Sequence, residues 1–302
     1  MIIDFRYHIA SLVAVFLALG LGILIGTAAL GERVLVRQQS QLIERLESDV
    51  SRMTNERREL QKELASQRER FRQAERFGRA VLPFLVADRL YGRRVAVIRL
   101  NPGSAETRPG DDELLATLKR AGAEVTRVLV FLQSPAALEP EQRAGVAKIL
   151  GIAPESEELP GETLRGLARE LARGTPSLLT SYLVDAQVLS ASGGTKAPAQ
   201  VAVVVGGAEE GGRAEAVRTL DLPLIDALRQ VGLTVAAVER SDVAVSLVKS
   251  YRTKGVLTVD NIDTPAGQVA LVMGLALGKT GNFGVKETAR QLLPLSGEAG
   301  LP

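Results

Sequence analysis

Arg93-Arg-Val-Ala-Val-Ile-Arg-Leu100, "RRVAVIRL", is a near-continuous apolar run bounded by charge on one side and by "NPG" on the other. This is the pattern of a parallel strand covered on both faces. The stretch "DDELLATLKRAG" follows with helical spacing, Asp111 or Asp112 placed to cap it and Gly122 placed to end it. A second apolar run, "AEVTRVLVFL", comes next. The same order returns downstream as "AQVAVVVGG", "LPLIDALRQVG" and "LTVAAVERSD". Aligned, the two copies share V-A-V-[IV] and then L-[LI]-x-x-L-[KR]-x-[AV]-G-x-x-V-x-x-V. A strand–helix–strand unit used twice predicts an α/β fold: a Rossmann-like parallel sheet with helices on both faces, joined by right-handed crossovers.

Between the copies, about 137–195, "EPEQRAGVAKILG", "PGETLRGLARELARG" and "PSLLTSYLVDAQVLSASGG" each carry helical spacing and read as a helical insert. After the second copy, "KGVLTVDNID" reads as a strand with an acidic turn. "TPAGQVALVMGLALG" reads as an apolar helix capped by Thr264 with Pro265 in its first turn. "GKTGNFG" and the tail from Leu292 read as surface chain.

Upstream of this α/β domain (78–302), "AVLPFLVADRL" is expected to form a short helix against the body. Before it, Val36–Ala74 contains neither Gly nor Pro and fits a heptad. Val36, Ile43, Val50, Arg57, Leu64 and Phe71 fall at a; Gln39, Leu46, Met53, Leu60, Gln67 and Ala74 fall at d. All but Arg57, Gln39 and Gln67 are apolar. Nearly six heptads make a coiled-coil stalk (32–77) the expected form, and β-branched residues at a with Leu at d favour a parallel pair. Glu63 with Arg68, and Arg70 with Glu75, have the spacing for attraction between two such chains.

The chain opens with an anchor (1–31). From Ile9 to Gly31 no residue is charged, and a helix of about 20 apolar residues crosses the hydrocarbon core. Asp4 and Arg6 together in the n-region, and an apolar run too long for a leader, point to a retained anchor over a cleaved one. Gly22-Ile-Leu-Ile-Gly26 is a G-x-x-x-G extended by Ala18, a spacing that lets two helix backbones approach in lipid. The membrane and a second copy of the chain are therefore the expected partners. Charge leaves orientation open: Arg6 precedes the span, and Arg33, Arg37 and Arg45 follow it.

Composition excludes much chemistry. The absence of Cys removes disulfides, zinc fingers and thiol catalysis. Lys and Arg number 37 against 35 Asp and Glu with no basic stripe, so no nucleic acid is expected as a partner. The single His, His8, lies at the membrane edge, so Ser104, Ser181 and Ser241 have no His base, and no enzyme activity is expected. Gly206–Gly212 is Gly-rich but carries Glu209 and Glu210 where a phosphate needs positive charge. "GKT" at 278–280 lacks the upstream glycine loop. Asp260-Asn-Ile-Asp263 presents oxygens suited to a hard cation, with Asp260 and Asp263 as its candidate ligands. The favoured alternative is that Asp263 and Thr264 cap the next helix. No cofactor is expected.

"IDFRYHIASLVAVFLALGLGILIGTAAL" (3–30), the stalk, "GVLTVDNIDTPAGQVALVMGLA" (255–276) and "GNFGV" (281–285) closely resemble the MctB copper-transport family across essentially the whole chain. SteB, the partner of SteA in cell separation, is similar in the same way. The resemblance implies a single-pass anchor in the cell membrane, an extracytoplasmic α/β domain and a role in copper export or homeostasis. Some members are described as channel-like outer-membrane proteins. SteB-like members imply a non-catalytic partner of a SteA-like protein in envelope remodelling. Copper enters through this resemblance alone, since no ligand set maps onto the chain.

Overall fold

The computed structural model describes residues 5–100, 111–174, 178–193, 197–206, 217–243 and 246–294, with backbone alone at 5, 28–41 and 111. The chain divides into two units, Met1–Arg72 and Gln73–Pro302.

The first unit is one helix, the greater part of α1 (Phe5–Val86). Its Arg6–Thr27 segment is long and apolar enough to cross a membrane and is not buried within the protein. Thr27 donates its hydroxyl back to the Ile23 carbonyl at 3.0 Å, which satisfies the one polar side chain near the end of that segment. Beyond it, Arg52 and Asp49 pair at 3.0 Å along the exposed helix surface.

The second unit begins with the last turns of α1. Gly78 and Pro83 do not end the helix, so no separate short helix forms. Leu82 and Val86 are buried in the body. Gly78 faces Pro265, where a Cβ would stand 3.0 Å from the proline ring; the glycine is there for close approach. Arg79 meets Glu113 at 2.5 Å, and this hydrogen bond raises the Arg79 pKa further.

The body then follows as β1 (Arg94–Leu100), α2 (Asp111–Arg120), β2 (Glu124–Phe131), α3 (Pro140–Leu150), α4 (Leu159–Arg173), α5 (Leu178–Asp185), β3 (Leu189–Ser192) and β4 (Val201–Gly206). It continues as α6 (Leu222–Gln230), entered through a short π-helical turn, then β5 (Thr234–Glu239), α7 (Val248–Arg252), β6 (Leu257–Val259), α8 (Pro265–Ala276) and β7 (Gly281–Phe283). The seven strands form one sheet in the order β3-β2-β1-β4-β5-β6-β7. All neighbours are parallel except β3, which runs antiparallel to β2.

The two sequence copies are β1–α2–β2 and β4–α6–β5, and they build outward in opposite directions from the β1/β4 pair. One consistent crossover hand then requires α2 and α6 to lie on opposite faces, and the packing agrees. Leu114 and Leu118 of α2 join Val95, Val97, Val201 and Val203 on one face together with α8. Leu224, Ile225 and Leu228 of α6 join Ala96, Ile98, Ala202 and Val204 on the other, together with α3, α4 and α5. This alternation explains why the strands read as unbroken apolar runs. Gly122, at φ +79°, ends α2 as its place in the sequence indicates.

Two segments differ from their sequence reading. The helical spacing of "PSLLTSYLVDAQVLSASGG" stops at Asp185, Gln187 turns at φ +55°, and Leu189–Ser192 pairs with β2 as an edge strand. "GNF" is strand β7 rather than surface chain: Asn282 and Phe283 are buried, and Thr258 opposes Asn282 in the ladder with β6.

Candidate functional site

The carboxyl ends of β5, β6 and β7 bring together the acidic turn that the sequence singled out. Glu239 ends β5 with no exposed surface. Its Oε1 accepts from Lys286 Nζ at 2.7 Å and from the Ser246 hydroxyl at 2.5 Å; its Oε2 accepts from the Leu247 backbone N–H at 2.8 Å. Asp260, also without exposed surface, accepts the backbone N–H groups of Val285 at 2.8 Å and Lys286 at 3.1 Å. Gly284, at φ +140°, permits this, since a Cβ there would stand 1.9 Å from Asp260 Oδ1.

Asp263 reaches back across the edge. Its Oδ1 accepts from the Ser241 N–H at 2.6 Å and its Oδ2 from the Ser241 hydroxyl at 2.7 Å. The cap of α8 is Thr264, whose Oγ1 accepts from the Gly267 N–H at 3.2 Å. Asn261, buried between these residues, donates its amide to Thr264 Oγ1 at 3.0 Å. Its Oδ1 is turned to the Gly267 backbone.

Asp260 and Asp263 therefore point their oxygens at different N–H and O–H donors. Among the described residues no group of three His, Asp or Glu is placed to hold a metal ion. Charge-assisted hydrogen bonds of this kind fix loops in place, so the cluster ties the loops after β5, β6 and β7 to one another. The sequence did not single out Glu239 or Lys286. The signal available for Glu239 was a carboxylate ending an otherwise apolar strand. Thr264→Ala is expected to remove about 1 kcal/mol of helix capping, a thermal midpoint about 2–4 °C lower for a domain of this size, measured by calorimetry on the full chain.

The remaining sequence candidates are distributed as follows. The Gly-rich segment after Gly206, Asn101-Pro102-Gly103 and Ser104 lie outside the described residues. Ser181 is exposed on α5, and "GKT" turns out of α8 with Gly278 at φ +60°. Gly22 and Gly26 have nothing within 4 Å of where a Cβ would stand, so both present an open helix surface. Ile43, Leu46, Val50, Met53, Leu60, Leu64 and Phe71 are all exposed; the Val36 side chain lies outside the described residues.

Copper(I) prefers thiolate, thioether and imidazole ligands. The chain has no Cys. His8 and Met53 lie on one helix about 65–70 Å apart at about 1.5 Å rise per residue. Met273 is half-buried on α8 of the body. Among the described residues these do not form a set that fits a resident copper ion; Met1 lies outside the described residues.

No curated protein matches the chain. The model of a family described as "Copper transport outer membrane protein, MctB" matches residues 2–294. That span takes in the opening segment, the stalk and the body whose sheet the repeated unit builds. The chain belongs to the MctB copper transport outer membrane protein family.

Proposed function

We propose that this chain serves copper homeostasis as a membrane-anchored, non-catalytic scaffold that works as a parallel pair, with its α/β body extracytoplasmic. The copper role rests on the family match; the observation that carries the anchored, paired scaffold is helix α1. Its apolar Arg6–Thr27 segment suits a bilayer, and its stalk leaves a heptad row from Ile43 to Phe71 exposed on a single chain. Apolar surface of that extent on a lone helix is covered in soluble proteins. A second copy covers it with knobs-into-holes packing, and the open Gly22 and Gly26 surfaces extend the contact into lipid.

A strain lacking the chain is expected to accumulate copper and to become copper-sensitive. The full-length protein restores resistance, and a Leu46→Pro/Leu60→Pro variant that still reaches the membrane does not. Unchanged cell copper in the deletion strain overturns the copper reading. In detergent, sedimentation equilibrium is expected to give a dimer for the native chain and a monomer for the double variant.

The scarcity of copper ligands favours a second reading, in which the paired stalk recruits a SteA-like protein in cell separation. Pull-down with such a protein, lost in the double proline variant, supports it; binding that survives breakage of the stalk removes the stalk as the platform.

A further inference from the structure

The heptad frame of the stalk does not stop at Ala74. Carried on through the last turns of α1, which belong to the second unit, it places Val81 at d, Gly78 and Leu85 at a, and Phe77 and Phe84 at g. One side of these turns is taken, since Leu82 and Val86 are buried in the body. Gly78 borders that side, against Pro265. The heptad side is open. Phe77 is 70% exposed, Phe84 83% and Leu85 47%, with Val81 half-buried between them.

The chain has 7 Phe and no Trp, and Phe131 and Phe283 are buried in the body. Two more, side by side with Val81 and Leu85 on one open helix face, mark an interaction site. The chain holds little to cover it. After α1, the segments outside the described residues are 101–110, 175–177, 194–196, 207–216, 244–245 and 295–302. Their large apolar side chains are Val245, Leu295 and Leu301 alone. Charge points to a second copy. In a parallel pair the g residue of one helix meets the e residue five positions on in the other. For Glu63 that residue is Arg68, and for Arg70 it is Glu75, opposite charges in both cases. This self-complementarity leads directly up to the apolar turns.

We propose that the last turns of α1 are a docking face for a second copy of the chain, in which Val81 and Leu85 form the seam and Phe77 and Phe84 close its flank. The proposal rests on the stalk pairing proposed above and goes beyond it, because this face belongs to the body. Leu82 and Val86 pack with Val95 and Val97 of β1 in one core. Pairing at these turns therefore joins the two α/β bodies to each other, where a seam ending at Ala74 would leave them loose on a paired stalk.

The chain has no Cys, so single cysteines placed in the full-length protein in its membrane report pairing by disulfide cross-linking, which needs Cβ atoms within about 4.5 Å. Leu60→Cys reads the stalk, and Val81→Cys and Leu85→Cys read the docking face. Ala80→Cys, exposed at c on the same turns, is the control. On mild oxidation the first three are expected to give linked dimers and Ala80→Cys none. Adding Phe77→Ser and Phe84→Ser, both outside the core, is expected to cut the Leu85→Cys link severalfold and to leave the Leu60→Cys link unchanged. A Leu60→Cys link without links at Val81→Cys and Leu85→Cys overturns the proposal, leaves stalk pairing standing and assigns the face to a different partner. Absence of all three links overturns both readings. Ala80→Cys linking as fast as Leu85→Cys, or a Leu85→Cys link indifferent to Phe77→Ser and Phe84→Ser, overturns the proposal as well.

Discussion

Lys286→Met is expected to destabilise the body by about 3 kcal/mol, the low end for breaking a buried ion pair from one side. The reason lies in the asymmetry of the pair. Glu239 has no exposed surface, whereas the Lys286 side chain retains 21% of its own. Removing the lysine leaves a buried carboxylate at the end of β5 whose remaining donors, among the described residues, are the Ser246 hydroxyl and the Leu247 N–H. Glu239→Gln works the other way. The ammonium left behind reaches solvent and keeps the Arg240 carbonyl at 3.2 Å as an acceptor, so the expected loss is smaller, about 1–2 kcal/mol. The double variant is expected to be more stable than the sum of the singles by about 0.5–3 kcal/mol. Differential scanning calorimetry of the full chain reads all three. Equal single effects that simply add would show that the two side chains do not depend on each other.

This pair marks the limit of what the sequence reveals. The strand–helix–strand copies are legible because their signals are local: an apolar run, a 3.6-residue period, a glycine stop. Given the strand order, the opposite faces of α2 and α6 follow once a single crossover hand is applied. Strands β3 and β7 are illegible for a physical reason. Each has three or four residues, too few to show a period, and their identity rests on partners in β2 and β6. Asp263 misleads in the same way. Next to Thr264 it reads as part of a cap, but its hydrogen bonds go to Ser241, in the loop after β5. Arg99 is visible as one charge inside "VAVIRL"; its burial becomes visible only when Val130 and Val205 are placed on either side. The stalk is the converse case. Its heptad pattern is legible in the sequence, and Leu46, Leu60 and Phe71 are exposed on the single chain.

Gly267→Ala is expected to be among the most damaging single methyls that can be added to the described body, costing on the order of 4 kcal/mol or preventing folding, at the upper end for point substitutions. A Cβ at this position would stand 2.0 Å from the Asn261 carbonyl oxygen and 2.5 Å from its carbon. Both are backbone atoms, so no side chain can rotate away to make room. Relief requires the first turn of α8 to lift or the 260–264 turn to open. Lifting α8 breaks the Thr264 cap to the Gly267 N–H. Opening the turn disturbs Asp260, which holds the Val285 and Lys286 N–H groups. The damage therefore spreads to the loop after β7, the same loop that carries Lys286 to Glu239. Gly274→Ala is the control on the same helix. Its Cβ would stand 2.7 Å from the two terminal methyls of Leu257, which can turn. The remaining overpacking, about 1–3 kcal/mol, is partly offset by about 1 kcal/mol of gained helix propensity. A thermal midpoint lowered much further by Gly267→Ala than by Gly274→Ala is the expected calorimetric result. Equal losses would mean that the 260–264 turn yields, and that the hydrogen bonds assigned to Asp260 do not hold it.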